Sequence, residues 1–266
     1  MSRPSPGALY GRDTLSWQLN SRWFVLIGGP RAAILQVCDP KVAAGVASYS
    51  TYRTDPLGRL ERTLDAMLAI GFGSPTRRQE TLDALERGHA RVNGTTADGQ
   101  GYDALDPDLQ YWVLATLVDT VLQVERRYVG RLRESDRAEY FQESKHLARA
   151  FGVPESAIPA DLDAFRGYMA DRFATLEPSA DSIDITRNLM RPGVRWLPDT
   201  GFVPFNWITT ELLPPRMRRH LGLADLNPAE LAAVRSARAV SRATLPHLGQ
   251  VLSANPLNGR AIRGAA

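Results

Sequence analysis

Three side chains that could form a redox or acid–base site fall on two consecutive predicted helices of this chain. Arg59 and Thr63 are four residues apart, so on one helix they project from neighbouring positions on the same side. His89 follows on a second predicted helix, residues 80–92, whose apolar side chains recur at steps of three and four. An imidazole in such a stripe needs a partner, because a buried unpaired polar group costs roughly 1–3 kcal/mol. An iron ion would be a suitable partner. The stripe consists of Leu82, Leu85, His89 and Val92.

Each of these residues also has an ordinary structural interpretation. A lone histidine on an apolar face can be a core residue that is hydrogen-bonded to a carbonyl oxygen. Arg59 could pair with Asp55 or Asp65 at the surface, where ion pairs contribute little to stability. The three residues alone therefore leave both interpretations open, and the order of the other motifs has to decide between them.

Several short motifs occur in one order along most of the chain. They are Gly28–Val37, Asp39–Val46, the Arg59 and Thr63 helix, His89, Leu109–Leu117 and Leu212–Arg218. In this order and spacing the chain resembles the haem-dependent oxygenase superfamily that contains the latex clearing proteins and the MpaB-type oxygenase domains.

The resemblance implies an oxidoreductase of oxygenase type that holds a non-covalent haem b and uses O₂ as co-substrate. It implies His89 as the proximal iron ligand, with Arg59 and Thr63 in the same pocket as hydrogen-bond donors to dioxygen, a substrate oxygen or a haem propionate. It also points to Arg62 as a cofactor contact, although helix geometry turns Arg62 away from the apolar stripe of its own helix. Thr116, on the apolar face of a later helix, could add a polar contact or bond back to its own helix.

The chain departs from the family pattern at two points. Leu114 stands where many relatives carry histidine, and no acidic residue precedes the Arg59 helix in the way that latex clearing proteins have one. We therefore expect the substrate to be an apolar or aromatic small molecule other than rubber, for example one from secondary metabolism. The alternative is a non-catalytic helical binding protein that lacks haem or only binds it. A hydrolase or transferase is disfavoured because the sequence holds no Gly-x-Ser-x-Gly, Walker-type or His-Glu-x-x-His motif.

Composition limits the remaining classes. With 266 residues, 44% of them hydrophobic, and a net charge of +3, the chain is ordered and too weakly basic to imply a nucleic-acid partner. Its single cysteine, Cys38, excludes an internal disulfide and fits a reducing compartment, and no CxxCH motif is present for covalent haem attachment. The first residues, Met1–Gly7, lack a secretory pattern, and no apolar run approaches the roughly 18 residues of a membrane span. We expect a cytoplasmic protein without stable membrane insertion, and we leave its oligomeric state open.

Helical periodicity dominates the chain and predicts an all-α fold, a single-domain multi-helix bundle over residues 1–266. Capping residues and prolines set the ends of several predicted helices. These helices cover residues 107–128, 135–151, 161–173 and 228–243. The first of them has a broad apolar face, which predicts that it is the central helix. The glycine-rich stretch 93–101 reads as an exposed loop, residues 190–215 as an irregular cover rich in proline and aromatic residues, and residues 216–266 as a C-terminal helical region.

Overall fold

A computed structural model of the protein describes residues 7–191 and 199–245, which are predominantly helical. In these ranges the strands form one antiparallel hairpin, in which Gly94 pairs with Tyr102. The prediction of an all-α fold is confirmed. The elements are α1 (Leu15–Asn20), α2 (Gly29–Val37), α3 (Pro40–Tyr49), α4 (Pro56–Phe72), α5 (Pro75–His89), β1 (Asn93–Thr95), β2 (Gly101–Asp103), α6 (Pro107–Val124), α7 (Glu134–Ala150), α8 (Leu162–Thr175), α9 (Ala180–Met190), α10 (Val203–Leu212), α11 (Pro215–His220) and α12 (Pro228–Thr244).

Local sequence explains where many of these helices begin. Asp106 caps α6 by accepting the backbone N–H of Asp108, and Pro107 occupies a first-turn position that needs no N–H donor. Asn227 and Glu230 form a reciprocal capping box at the start of α12. The predicted helices 135–151, 161–173 and 228–243 are confirmed as α7, α8 and α12, each within two residues of its expected ends. The predicted start of α6 is confirmed as well, but α6 ends at Val124 rather than at residue 128, and a π-helical segment, Glu125–Val129, follows it.

The predicted central helix, α6, lies at the middle of the hydrophobic core. Trp112 is fully buried, and its indole N–H donates to the carbonyl oxygen of Gln36 at 3.1 Å, which fixes α6 against the end of α2. The two helices approach so closely at Gly28 that a Cβ atom there would lie 2.4 Å from the Thr120 methyl carbon. The main core cluster extends from Tyr10 to Leu221 and so draws on nearly the whole described chain.

An ion pair is buried at the same α2–α6 contact. The Arg31 side chain is 2% exposed and donates to the Asp119 carboxylate at 2.6 Å and to the Thr120 hydroxyl at 2.6 Å. Its Nε donates to the carbonyl oxygen of Leu212 at 2.9 Å, at the end of α10. One guanidinium therefore joins three helices.

Two segments differ from the sequence prediction. The expected loop 93–101 contains β1 and begins β2, because polar side chains around Thr96 satisfy the turn between the two strands. The expected irregular cover over residues 190–215 is wrong for α10. Its prolines lie at the boundaries, with Pro204 in the first turn and Pro214 after the last residue, so the interior remains free to form a helix. Residues 192–198 of the expected cover and residues 246–266 of the expected C-terminal helical region lie outside the described residues.

Within the described ranges, the helices all fall short of the length or the apolar character that a bilayer span requires.

Candidate functional site

Helices α4 and α5 form an antiparallel hairpin that positions the predicted site residues. Only Gly73 and Ser74 separate them, and the two helices pack against each other. Along the axis, Arg59 lies about 20 Å from the last residue of α4 and His89 about 21 Å from the first residue of α5 at 1.5 Å per residue. Each residue therefore lies near the end of its helix that is remote from the Gly73–Ser74 connection, which we call the open end of the hairpin.

The two ends of this hairpin are buried to different degrees. At the closed end, Leu68, Ile70 and Phe72 are at most 6% exposed and belong to the main core. Towards the open end, Leu64 is half-buried and Leu60 is 49% exposed. The apolar stripe of α4 thus emerges from the core and becomes exposed towards the start of the helix.

Arg59 is half-buried, and its guanidinium forms no ion pair or side-chain hydrogen bond among the described residues. Burial lowers its pKa, and the positive charge of Arg62 lowers the pKa further. Thr63 is exposed, and its hydroxyl donates to the carbonyl oxygen of Arg59 at 2.9 Å. The pair is therefore close together as predicted, but the Thr63 proton is engaged within its own helix.

His89 is the last residue of α5 and lies on the side of this helix that faces inward. The four members of its predicted stripe are all half-buried. No residue of α5 is fully buried, so half-burial is the deepest burial that this helix reaches. The helix itself runs from Pro75 to His89 rather than over the expected residues 80–92, because Ser74 caps it and Pro75 starts it. Burial lowers the pKa of His89 below its ordinary value of 6.5, so the neutral imidazole predominates at pH 7. Among the described residues its ring makes no hydrogen bond.

The hairpin end is closed on one side by α3 and the β-hairpin. Gly45 faces Val92, where a Cβ atom would lie 3.1 Å from the Val92 side chain, and the Tyr49 hydroxyl donates to the carbonyl oxygen of Asn93 at 3.1 Å. These contacts hold the chain that leaves α5 directly after His89. They fix the position of the histidine backbone.

Arg62 reaches back to the start of α4, where its side chain is engaged by other residues. Its guanidinium pairs with the Asp55 carboxylate at 3.0 Å and donates to the Thr51 hydroxyl at 3.0 Å. Asp55 also caps α4 by accepting the N–H of Gly58 at 3.0 Å. The sequence allowed an ion pair between Asp55 and Arg59, whereas in the structure Asp55 pairs with Arg62. This arrangement fixes the first turns of α4, and in the described part of the chain no other carboxylate pairs with Arg59.

Thr116 is fully buried in α6, and its hydroxyl donates to the carbonyl oxygen of Val113 at 2.7 Å. This contact is the bond to its own helix that sequence reasoning gave as the alternative. Of the other histidines, His146 is exposed on α7, His220 contacts Glu177 at 3.0 Å, and His247 lies outside the described residues.

The residues at the open end fit a haem better than an isolated metal ion. In the part of the chain that the structure describes, no three histidine, cysteine, aspartate or glutamate side chains come together to bind an ion. A haem needs one axial imidazole and an apolar surface, with a cation for its acidic groups. His89 and Arg59, neither of which has a side-chain partner within residues 7–191 and 199–245, and the stripe at Leu60 and Leu64 supply these features.

Sequence reasoning missed Asp55 and the buried Arg31–Asp119 pair as residues that position the helices. Both had a signal in the sequence. Asp55 immediately precedes Pro56, which is a typical start of a helix, and Asp119 is a lone acid within the apolar run of α6. Cys38 is fully buried, and burial raises its pKa to about 12, so it stays a thiol.

Comparison with known proteins gives a family for this arrangement. The profile of the catalytic domain described as "ER-bound oxygenase mpaB/B'/Rubber oxygenase" matches residues 17–243. Uncharacterized proteins of Mycobacterium bovis and Mycobacterium tuberculosis are each 27% identical over 197 residues, which cover 71% of this chain and 77% of the relative. No solved structure gives a significant match.

Proposed function

The chain belongs to the mpaB and rubber oxygenase catalytic-domain family, and on that premise we propose that it is a haem b-dependent oxygenase. Its co-substrate is O₂, and its substrate is an apolar or aromatic small molecule. The observation that carries the proposal is the open end of the α4–α5 hairpin. There His89 ends α5 and Arg59 lies one turn into α4; both are half-buried, and neither has a side-chain partner among the described residues.

His89 is the proposed proximal ligand. A ligating imidazole has to be neutral, and burial already lowers the His89 pKa below 6.5. Its backbone is fixed by the helix on one side and by the β-hairpin that follows on the other. A haem with one histidine ligand supplies the redox centre for reaction with O₂.

Arg59 and Thr63 are the proposed polar groups of the pocket. Arg59 carries a permanent charge and five N–H donors that no acceptor in the described chain uses. The Thr63 hydroxyl oxygen can accept a hydrogen bond while the hydroxyl donates to the carbonyl oxygen of Arg59. Arg62 and Thr116 are assigned indirect roles, since Arg62 fixes the start of α4 and Thr116 packs within α6.

The apolar stripe of α4 supports an apolar substrate. Leu60 is 49% exposed, so the helix that carries Arg59 and Thr63 also presents hydrocarbon surface. Such a surface excludes water from the site when a substrate covers it. We propose a substrate other than rubber and a cytoplasmic location.

The test is to produce the protein in cells supplied with a haem precursor and to record its absorption spectrum. A Soret band, a shift of that band when carbon monoxide is added to the reduced protein, and O₂ consumption on addition of apolar substrates are expected. A Soret band without O₂ consumption for any substrate would favour the non-catalytic binding protein. No band after reconstitution with haem would contradict the proposal.

A further inference from the structure

Helix α12 has an exposed side on which small apolar residues and arginine replace the usual mixture of charges. Its one acidic residue, Glu230, is engaged in the capping box at the start of the helix. Most exposed positions after it are alanine, and Val240 is 62% exposed, the highest value for a large hydrophobic residue in the described chain. A helix at a protein surface ordinarily turns charged and polar residues to the solvent. The exposed side of α12 departs from this pattern.

Two exposed arginines, Arg235 and Arg242, lie along one edge of this side. They are seven residues apart, so they project in the same direction about 10 Å from each other. Neither forms an ion pair with any residue that the structure describes. The Arg242 guanidinium lies against Gly130, where a Cβ atom would be 2.7 Å from its Cζ atom. Gly130 also has a φ of +73°, so this close approach depends on glycine.

Two further arginines extend the positive charge beyond α12. Arg131 directly follows Gly130, is exposed, and has no ion pair within residues 7–191 and 199–245. It lies close enough to Arg22 for its charge to lower the pKa of Arg22, although burial lowers this pKa more and Glu125 opposes both effects. Glu125 itself is only 1% exposed. We call the four arginines of this surface the basic patch: Arg22, Arg131, Arg235 and Arg242.

Contacts on the inner side of α12 hold the helix in the position that assembles this patch. Arg238 forms an ion pair with Glu211 of α10. The Ser241 hydroxyl donates to the carbonyl oxygen of Tyr128 in the π-helical segment at 2.8 Å. Leu245, directly after α12, belongs to a small apolar cluster that includes the same tyrosine. The basic patch is therefore a fixed feature of the fold.

We propose that the basic patch and the exposed side of α12 bind peripherally to an anionic lipid surface. A guanidinium can donate two parallel hydrogen bonds to a lipid phosphate. Arginines from separate segments of the chain match the many phosphates of a bilayer better than one small anion. The alanines and Val240 let the helix bury apolar surface at the headgroup boundary. A two-fold pair of this chain through the same face would bring the arginines together, which disfavours a second copy as the partner.

Co-sedimentation of the full chain with lipid vesicles tests this inference. Vesicles made of equal parts of phosphatidylglycerol and phosphatidylcholine are compared with vesicles of phosphatidylcholine alone. Wild type is expected to bind the anionic vesicles at about 0.1 M salt and to leave the neutral vesicles unbound. Binding should be lost near 1 M salt, because the Debye length falls from about 10 Å to about 3 Å.

The double variant Arg235→Gln, Arg242→Gln removes two charges from the edge of α12. Its partition coefficient for anionic vesicles should fall about 25-fold, since each arginine near such a surface contributes about fivefold. Val240→Ser should also weaken binding, because it removes apolar surface from the same helix. The matched control is Arg87→Gln, Arg187→Gln, which lowers the net charge equally at exposed positions of α5 and α9 and should bind like wild type.

Arg131→Gln tests the patch without changing α12, and its binding should fall about fivefold. The inference is overturned if wild type does not bind anionic vesicles, if it binds neutral vesicles equally well, or if the control pair loses as much binding as the α12 pair. Poly-L-glutamate is the probe for an acidic protein partner. Binding of this polymer through Arg235 and Arg242 without binding of vesicles would contradict a lipid partner. None of these variants changes a residue of the proposed haem site, so vesicle binding and the Soret band are independent results.

Discussion

The buried Arg31 network gives a strong stability prediction. Its guanidinium makes hydrogen bonds of 2.6, 2.6 and 2.9 Å to Asp119, Thr120 and the carbonyl oxygen of Leu212. Arg31→Met keeps most of the side-chain length but leaves the Asp119 carboxylate, 11% exposed, without its cation. The remaining side-chain donor to Asp119 is the Gln123 amide at 3.4 Å, which is too long to compensate. Removing one partner of a buried pair costs about 3–5 kcal/mol.

Urea denaturation followed by circular dichroism measures this loss. The free energy of unfolding should fall by about 3–5 kcal/mol, equivalent to a decrease of roughly 6–20 °C in melting temperature. Arg53→Met is the control, since the Arg53 pair with Asp184 is 58% and 41% exposed and should contribute at most about 1 kcal/mol. The double variant Arg31→Met, Asp119→Leu should recover most of the loss because no charge is left buried. A loss below about 1 kcal/mol for Arg31→Met, or no recovery in the double variant, would refute this reasoning.

Two further predictions concern packing and pH. Gly28→Ala should destabilise the fold by about 1–3 kcal/mol in the same denaturation assay, because its Cβ would overlap α6, whereas Gly29→Ala should be nearly neutral since nothing lies within 4 Å. Equal effects of the two variants would contradict the close α2–α6 contact. Hydrogen bonds from Arg149 lower the pKa of Glu155 from 4.5 to about 2, so its stabilising effect is complete above 4.5 and is lost as pH falls towards 2. The difference in free energy of unfolding between wild type and Glu155→Gln should therefore be constant above about pH 5 and shrink below it. A difference that grows as the pH falls would contradict the lowered pKa of Glu155.

Local signals predicted the helices well because capping is a short-range effect. The start of α6 at Asp106 and Pro107 and the start of α12 at Asn227 follow from hydrogen bonds within three residues. The expected irregular segment failed for a related reason. Pro204 and Pro214 were counted as helix breakers, yet each lies at a boundary of α10, where proline is compatible with the helix.

The sequence was enough to name the residues of the candidate site, but only some of their contacts could be predicted. The sequence shows that Arg59 and Thr63 share one side of a helix and that His89 belongs to an inward stripe, since both follow from helical periodicity. It does not show which arginine forms an ion pair with Asp55. That choice depends on the fold of the turn before α4, which brings Asp55 to Arg62 through the Gly58 contact. The sequence likewise does not show that Arg31 pairs with Asp119, because this ion pair forms only when helices α2 and α6 pack against each other.

The central claim, that His89 holds the haem, is tested most directly by replacing the imidazole and then supplying it in solution. His89→Gly should lose the Soret band after expression with a haem precursor, and free imidazole should restore the band because it can occupy the vacated position. His146→Gly, at an exposed position of α7, is the control and should keep its band without imidazole. A normal Soret band in His89→Gly without imidazole would show that another residue binds the iron and would contradict the account.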